Sequence, residues 1–230
     1  MYNDLMRADS YEIRVCNSCG LRYPLVGSHA QTFGIRCPAC LGETHVALSR
    51  ALVAETEPTH TSPFGHSAEA LPKSDGIGEG QVGKIAVLLD NIRSTWNVGS
   101  IFRSADGFGF SHAYVCGITP TPDNEAVQKT SLGAEDAVTW SYHKDAVKLA
   151  QGLKKEGWRI FALEENERAV EVRRIDNPTH PTILIVGNEV AGVDLELLNL
   201  CDTIYCIPMH GEKRSLNVAI AFGIAAYALR

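Results

Sequence analysis

From Lys84 onward the chain alternates short β-rich runs with helical stretches, and this alternation limits the fold more than any other feature. The runs are IAVLLD (85–90), AYVCGI (113–118), AVTWSY (137–142), RIFALE (159–164), TILIVG (182–187) and TIYCIP (203–208). Their spacing predicts helices at about 97–107, 124–131, 143–156, 194–200 and 215–229. Strands joined through helices lie parallel, so the expected fold is α/β: a mostly parallel sheet with helices on both faces. In such sheets ligands bind beyond the carboxyl ends of the strands, which makes the strand-to-helix junctions the places to look for chemistry.

The N-terminal part follows a different logic. Cys16-x-x-Cys19 and Cys37-x-x-Cys40, with seventeen residues between the pairs, have the spacing of a four-thiolate zinc ribbon. A segment this short cannot fold on its own apolar burial, so bound metal would supply the folding free energy. Redox-active thiols and an iron site are the alternatives open to the same four ligands. Residues 51–83 are rich in Pro, Gly, Ser, Thr and acid and read as a linker; its His60 and His66 read as solvated. The expected organisation is a ribbon-like module over 1–50, the linker over 51–83 and the α/β unit over 84–230. Cys116, Cys201 and Cys206 lie in apolar segments and read as core packing.

A chain of 230 residues with 45% hydrophobic content can bury a full core. No apolar run reaches the ~20 residues of a membrane span and no signal peptide opens the chain, so the expected compartment is the cytoplasm, with no membrane partner. The net charge of −6 argues mildly against nucleic acid. An RNA surface would have to be a local basic patch.

Three junctions carry polar residues and glycines. In DNIRSTWNVGSIFRSADGFGF (90–110), Asn97 and Arg103 stand six residues apart around Gly99. Both can reach one ligand, although a capping Asn with a surface Arg explains the pair equally well. In ILIVGNEVAGVD (183–194), Gly187 and Gly192 allow a sharp turn that holds Glu189 between them. In IPMHGEKRSLNVA (207–219), Ser215 is the expected N-cap of the last helix, with Asn217 on its first turn. The third glycine of a dinucleotide fingerprint, a Walker loop and a G-x-S-x-G elbow are all missing.

Taken in order, NVGSIFRSADGFG, KTSLGAE (129–135), IVGNEVAGV and IPMHGEKRSLNVAIAFGIAAY resemble the motifs of the SpoU (TrmH-type) branch of the SPOUT RNA methyltransferases, over residues 84–230. The resemblance implies a C-terminal trefoil knot, S-adenosylmethionine as methyl donor, a homodimer with the site between subunits, and methylation of a ribose 2′-hydroxyl in structured RNA, tRNA or rRNA. Carried over by motif, Leu163, Gly187, Ile207, Ser215 and Leu216 would bind the cofactor. Asn97, Arg103, Glu189, Ser215 and Asn217 would form the catalytic set. A guanidinium does not give up its proton readily, so Arg103 either activates the hydroxyl while transiently neutral or stays charged on the adjoining phosphate. Lys129, Lys213 and Arg214, with Arg14, Arg22 and Arg36 of the ribbon, are candidate RNA contacts. Tyr23 and Phe33 are candidates for stacking on bases, unless the ribbon serves only packing. A non-catalytic RNA-binding protein and a base-methylating SPOUT enzyme are the rival readings.

Overall fold

The computed structural model describes residues 10–26, 32–51, 84–175, 178–213 and 215–230. Most of the 51–83 linker, with His60 and His66, and also Arg214 lie outside the described residues.

The N-terminal module is a three-stranded antiparallel sheet of order β2-β1-β3, with β1 at Ser10–Cys16, β2 at Arg22–Leu25 and β3 at Thr44–Ala51. The first Cys pair turns the chain out of β1, and the second precedes β3. Both pairs therefore meet at one end of the sheet.

The second sheet has seven strands, all parallel, in the order β6-β5-β4-β9-β7-β10-β8. They are β4 (Ile85–Asp90), β5 (His112–Cys116), β6 (Thr139–His143), β7 (Arg159–Leu163), β8 (Val170–Glu171), β9 (Thr182–Val186) and β10 (Thr203–Cys206). Around them run α1 (Thr95–Gly107), α2 (Glu125–Ser131), α3 (Ala134–Ala137), α4 (Ala146–Lys155), α5 (Leu195–Leu200) and α6 (Val218–Ala228). The apolar runs of the central strands are explained by burial on both faces. Ile85, Val87 and Leu89 of β4, with Leu184 and Val186 of β9, join the core under α1 and α6. Ala86, Leu88, Ile183 and Ile185 face α4 and α5 instead.

Several boundaries differ from the sequence reading for identifiable reasons. β5 stops at Cys116 because Gly117 takes φ +65° and the Ile118 N–H turns to Asn91 Oδ1 at 3.1 Å. β10 stops at Cys206, two residues before Pro208, which has no N–H to give a ladder. The two-residue β8 and the single turn α3 are too short to leave a periodic signal. The last helix starts at Val218, not near Ser215, and its N-cap is Asn217, whose Oδ1 accepts from Ala219 N–H at 2.9 Å. The expected cap at Ser215 is thereby corrected: Ser215 stands exposed, two residues ahead of the cap.

α1 and α2 cross with almost no room. A Cβ on Gly99 would lie 2.6 Å from Thr130 Cβ and 2.7 Å from the Val127 carbonyl oxygen. Among the described residues no helix is long and apolar enough to cross a membrane.

Candidate active site

Four strands that lie side by side, β4, β9, β7 and β10, bring their carboxyl ends to one edge, and the three polar junctions emerge there. Gly187 directly follows β9, Leu163 ends β7 and Ile207 directly follows β10. Leu163 pairs with Val186 on one side and Tyr205 on the other, so the three expected cofactor positions form a row across adjoining strands. Ser215 and Leu216 sit in the exposed segment beyond Ile207. Among the described residues of 208–216, no backbone N–H or C=O is paired with another backbone group, which leaves an unusual number of polar atoms for a ligand or water.

The loop after β9 is tightly drawn. A Cβ on Gly187 would fall 2.3 Å from the Gly192 carbonyl carbon, and Gly192 takes φ +71° with Glu164 against it. Inside this turn the Asn188 Oδ1 accepts from the N–H groups of Val190 and Ala191, both at 2.9 Å, while its Nδ2 donates to the Asn91 carbonyl at 2.7 Å. Glu164 Oε2 accepts from Val193 N–H at 2.8 Å. Asn188 and Glu164 were not singled out from the sequence. Asn188 lies within the GNE stretch, but only contact with a distant strand end reveals its role.

Glu189 is the hub. Its carboxylate accepts from the backbone N–H of Arg93 (2.9 Å) and Ser94 (3.0 Å) and from Asn97 Nδ2 (2.9 Å). Asn97 Oδ1 in turn accepts from Asn217 Nδ2 at 2.9 Å. Residues 92 and 120 positions apart thus form one chain, Glu189 to Asn97 to Asn217, which ties the start of α1 to the start of α6. Ser94 caps α1, so Asn97 is free for this network, and the alternative of a mere capping Asn does not hold.

Arg103 stands apart. It is exposed, about 9 Å further along α1 from Asn97, and forms no hydrogen bond or ion pair with another described residue. It borders a cleft of about 450 Å³ lined also by Asp106, Ser131, Leu132, Gly133 and Ala134, which brings the KTSLGAE stretch opposite it. A second cleft of about 400 Å³ lies on its other side, against Ser100, Ser104, Gly107 and Phe108. Neither includes Asn97, Glu189 or Asn217. Within one chain the five expected catalytic residues therefore fall into a joined trio, the exposed Ser215 and a separate arginine.

The four cysteines of the ribbon fit a metal. A tetrahedron with metal–sulfur arms of ~2.3 Å has edges of about 3.8 Å. Cys16 and Cys40 Sγ lie 3.5 Å apart, Cys19 and Cys37 Sγ 3.7 Å, and all four within 4.8 Å of one another. The Cys19 N–H donates to Cys16 Sγ at 3.4 Å and holds that thiol below its ordinary range, whereas burial pushes the Cys37 thiol up to about 12, so it is the spacing of the four sulfurs that fits a metal.

The basic residues of the ribbon are largely engaged elsewhere, which corrects the expectation that they form an RNA patch. Arg14 is 6% exposed and bonded to Thr44 and Glu12. Arg22 is 6% exposed and donates to both oxygens of Asp194, at 2.7 and 3.2 Å. Tyr23, at 1% exposure, cannot stack on a base. Arg36, Lys129 and Lys213 remain as exposed cations, Lys129 beside Glu125 at 3.9 Å. Asp194 N–H donates to Asp90 Oδ2 at 3.0 Å, and burial, with the Asp194 charge adding to it, pushes the Asp90 carboxyl up to about 7.

A doubly covered parallel sheet that gathers polar loops on one carboxyl edge, with a relay of carboxylate and amides among them, is the arrangement in which α/β proteins place their ligand sites. The chain belongs to the SpoU rRNA Methylase family, whose model matches residues 84–227. Over 143 residues it is 32% identical to a tRNA (guanosine(18)-2′-O)-methyltransferase from Thermus thermophilus, covering 62% of this chain and 72% of that protein. It is 30% identical over 146 residues to a 23S rRNA guanosine 2′-O-methyltransferase from Bacillus subtilis, covering 63% and 57%. Among solved structures, the AdoMet-bound rRNA methyltransferase from Sinorhizobium meliloti superposes with a TM-score of 0.61 at 31% identity, over 65% of this chain and 57% of that one. The chain thus spans little more than half the length of the last two proteins.

Proposed function

We propose that this chain transfers a methyl group from S-adenosylmethionine to a ribose 2′-hydroxyl of structured RNA, tRNA or rRNA. The observation that carries the reading is the Glu189–Asn97–Asn217 relay, whose Glu189 lies two residues after Gly187 in the row Leu163, Gly187 and Ile207 at the strand ends. The relatives named as guanosine 2′-O-methyltransferases of tRNA and 23S rRNA support it.

S-adenosylmethionine, when bound, supplies a methyl group on a sulfonium, which leaves as a neutral thioether. Leu163, Gly187, Ile207, Ser215 and Leu216 would hold the cofactor, with those backbone groups of the described residues of 208–216 that pair with no other backbone group as donors and acceptors. The three hydrogen bonds to Glu189 fix its carboxylate, and Glu189 fixes the Asn97 amide so that its Oδ1 faces Asn217. This relay orients the start of α6 and with it Ser215. Arg103, charged and unpaired beside its cleft, holds a phosphate of the RNA, and the ribose proton leaves to water or phosphate. Positioning of this kind contributes several kcal/mol to a transfer step, roughly 7–11 in the best intramolecular cases.

The chain acts as a homodimer. α6 is apolar around its whole circumference: Phe222, Ala225 and Ala226 are buried inward, while Ile220, Ile224 and Tyr227 stand 58%, 39% and 73% exposed on the other side. A second copy covers that face and brings its own Arg103 cleft toward the relay. The segment from β10 through α6 forms the trefoil knot. In support, β10 lies beyond β9 and β7 from β4, yet α6 returns across the sheet to pack on α1, which follows β4. Residues 1–50 serve as a zinc ribbon, 51–83 as a linker and 84–230 as the methyltransferase unit. Thiolates of this kind persist in a reducing compartment, in keeping with the cytoplasm.

The test is incubation with radiolabelled S-adenosylmethionine and total RNA, followed by nuclease and alkaline digestion. Label in alkali-resistant dinucleotides is the expected result. Label on a base, or none, refutes the assignment.

A further inference from the structure

The ribbon does not stand beside the α/β unit as a free module. Tyr11 of β1 is 4% exposed and donates its hydroxyl hydrogen to the Ala191 carbonyl at 2.7 Å. Ile13, Val26 and Ala191 complete an apolar cluster around it. Arg22 of β2 grips Asp194 through two nitrogens and approaches Glu196 at 3.4 Å. Its backbone N–H donates to the Lys144 carbonyl at 3.0 Å. Ala191 and Asp194 belong to the turn after β9, the turn that presents Glu189.

We infer that the metal-bound ribbon is a brace for this catalytic turn: Tyr11 and Arg22 are positioning residues that, by holding Ala191 and Asp194 from outside, fix the carboxylate of Glu189 on Arg93, Ser94 and Asn97. The inference rests on the reading of Glu189 given above, and the mechanical argument is direct. Glu189 is exposed and is carried on a turn whose base is tied to the ends of β4 and β7, through Asn188 Nδ2 to the Asn91 carbonyl, Asp194 N–H to Asp90 and Val193 N–H to Glu164, while its tip, Val190 and Ala191, bonds to Asn188 of the same turn and, through Ala191, to Tyr11. On one side the turn meets α1 through Glu189. On the other it meets the ribbon through Ala191, two residues away. Releasing the outer contact loosens the tip on its fixed base, which lengthens the three bonds that set the relay. The ribbon, in turn, owes its own shape to the four thiolates at the end of β1 and before β3, so metal occupancy reaches Glu189 through Tyr11 and Arg22. This also accounts for the buried placement of Arg22, which a module built to grip RNA would leave exposed.

Tyr11→Phe removes one hydroxyl and keeps the ring packing, so the chain remains folded. Two measurements on the full-length protein test the brace. Amide hydrogen exchange over residues 187–194 needs no catalysis; the variant should exchange roughly five-fold faster there, the loss expected for one hydrogen bond, with the β4 and β9 amides unchanged. Wild-type protein stripped of metal by a chelator should show the same change, reversed by added zinc. Methyl transfer is then compared for Tyr11→Phe, Glu189→Gln and the double variant. Tyr11→Phe should lower kcat roughly three- to tenfold with KM for RNA within about two-fold, and should add nothing once Glu189 is already Gln. Unchanged exchange at 187–194 overturns the brace, whether or not the protein methylates RNA. Effects of the two substitutions that multiply, or a rise in KM for RNA alone, overturn it in favour of plain structural support or an RNA-binding ribbon.

Discussion

Replacing Arg22 by methionine isolates the ion pair that seats the ribbon on the α/β unit. Methionine keeps the length and packing of the stem, so the loss is electrostatic and not a cavity. Arg22 and Asp194 side chains are 7% and 3% exposed, and their bond is bidentate. Removing one partner of such a buried pair typically costs about 3–5 kcal/mol, because the other charge stays buried without compensation. Here it has company: Asp90 lies against the Asp194 backbone, already held near 7 by burial and by Asp194, and loss of the guanidinium pushes it higher. For a chain of this size each kcal/mol moves Tm by roughly 2–4 °C, so thermal unfolding at pH 8 should fall by about 6–20 °C. The deficit should shrink at pH 5, where Asp90 carries a proton. Combining Arg22→Met with Asp194→Asn should recover much of the loss, since neither charge then remains. A drop under about 2 °C, an equal drop at both pH values, or additive effects in the double variant would each refute the argument.

Four further outcomes follow from the same geometry. Asp90 binds a proton in the folded chain up to about pH 7 but in the unfolded chain only up to about 4, so its contribution to stability declines as pH rises across that window and is flat above it; Asp90→Asn should remove a few kcal/mol of that slope in chemical denaturation at several pH values. Gly99→Ala should destabilise by roughly 1–3 kcal/mol despite its better helix propensity, because the new methyl meets Thr130 and the α2 backbone below 3 Å. It should lower kcat as well, since α2 leads into the wall of the Arg103 cleft. Ile224→Glu should convert a dimer to a monomer in sedimentation and abolish methyl transfer. Metal analysis of protein purified without chelator should return about one zinc per chain, and removal should lower Tm.

The strands were legible in the sequence because they are buried on both faces: an apolar run such as IAVLLD or TILIVG has no reading other than a central parallel strand once helices separate it from the next. β4 has the expected bounds, and the other strands shift by one or two residues, with a left-handed Gly117 after β5 and Pro208 just beyond β10. The gathering of the four ribbon cysteines was legible too, because two Cys-x-x-Cys turns at this spacing bring their sulfurs to one point. The motif positions were legible as a set. What each one bonds to was not: Asn97, Glu189 and Asn217 are polar residues at three separate junctions, and only the strand order β4-β9-β7-β10 brings those junctions together.

The sequence by itself determined the alternation of elements, the four thiolates and the polar junctions, because these depend on neighbours within a few residues. Only the tertiary structure decided that Asn217 and not Ser215 caps the last helix, that Arg103 stands clear of the relay, and that Arg14 and Arg22 of the ribbon face inward. A hydrogen bond or an ion pair between residues 11 and 191, or 22 and 194, depends on where two distant segments come to rest. No local pattern in the chain encodes that distance.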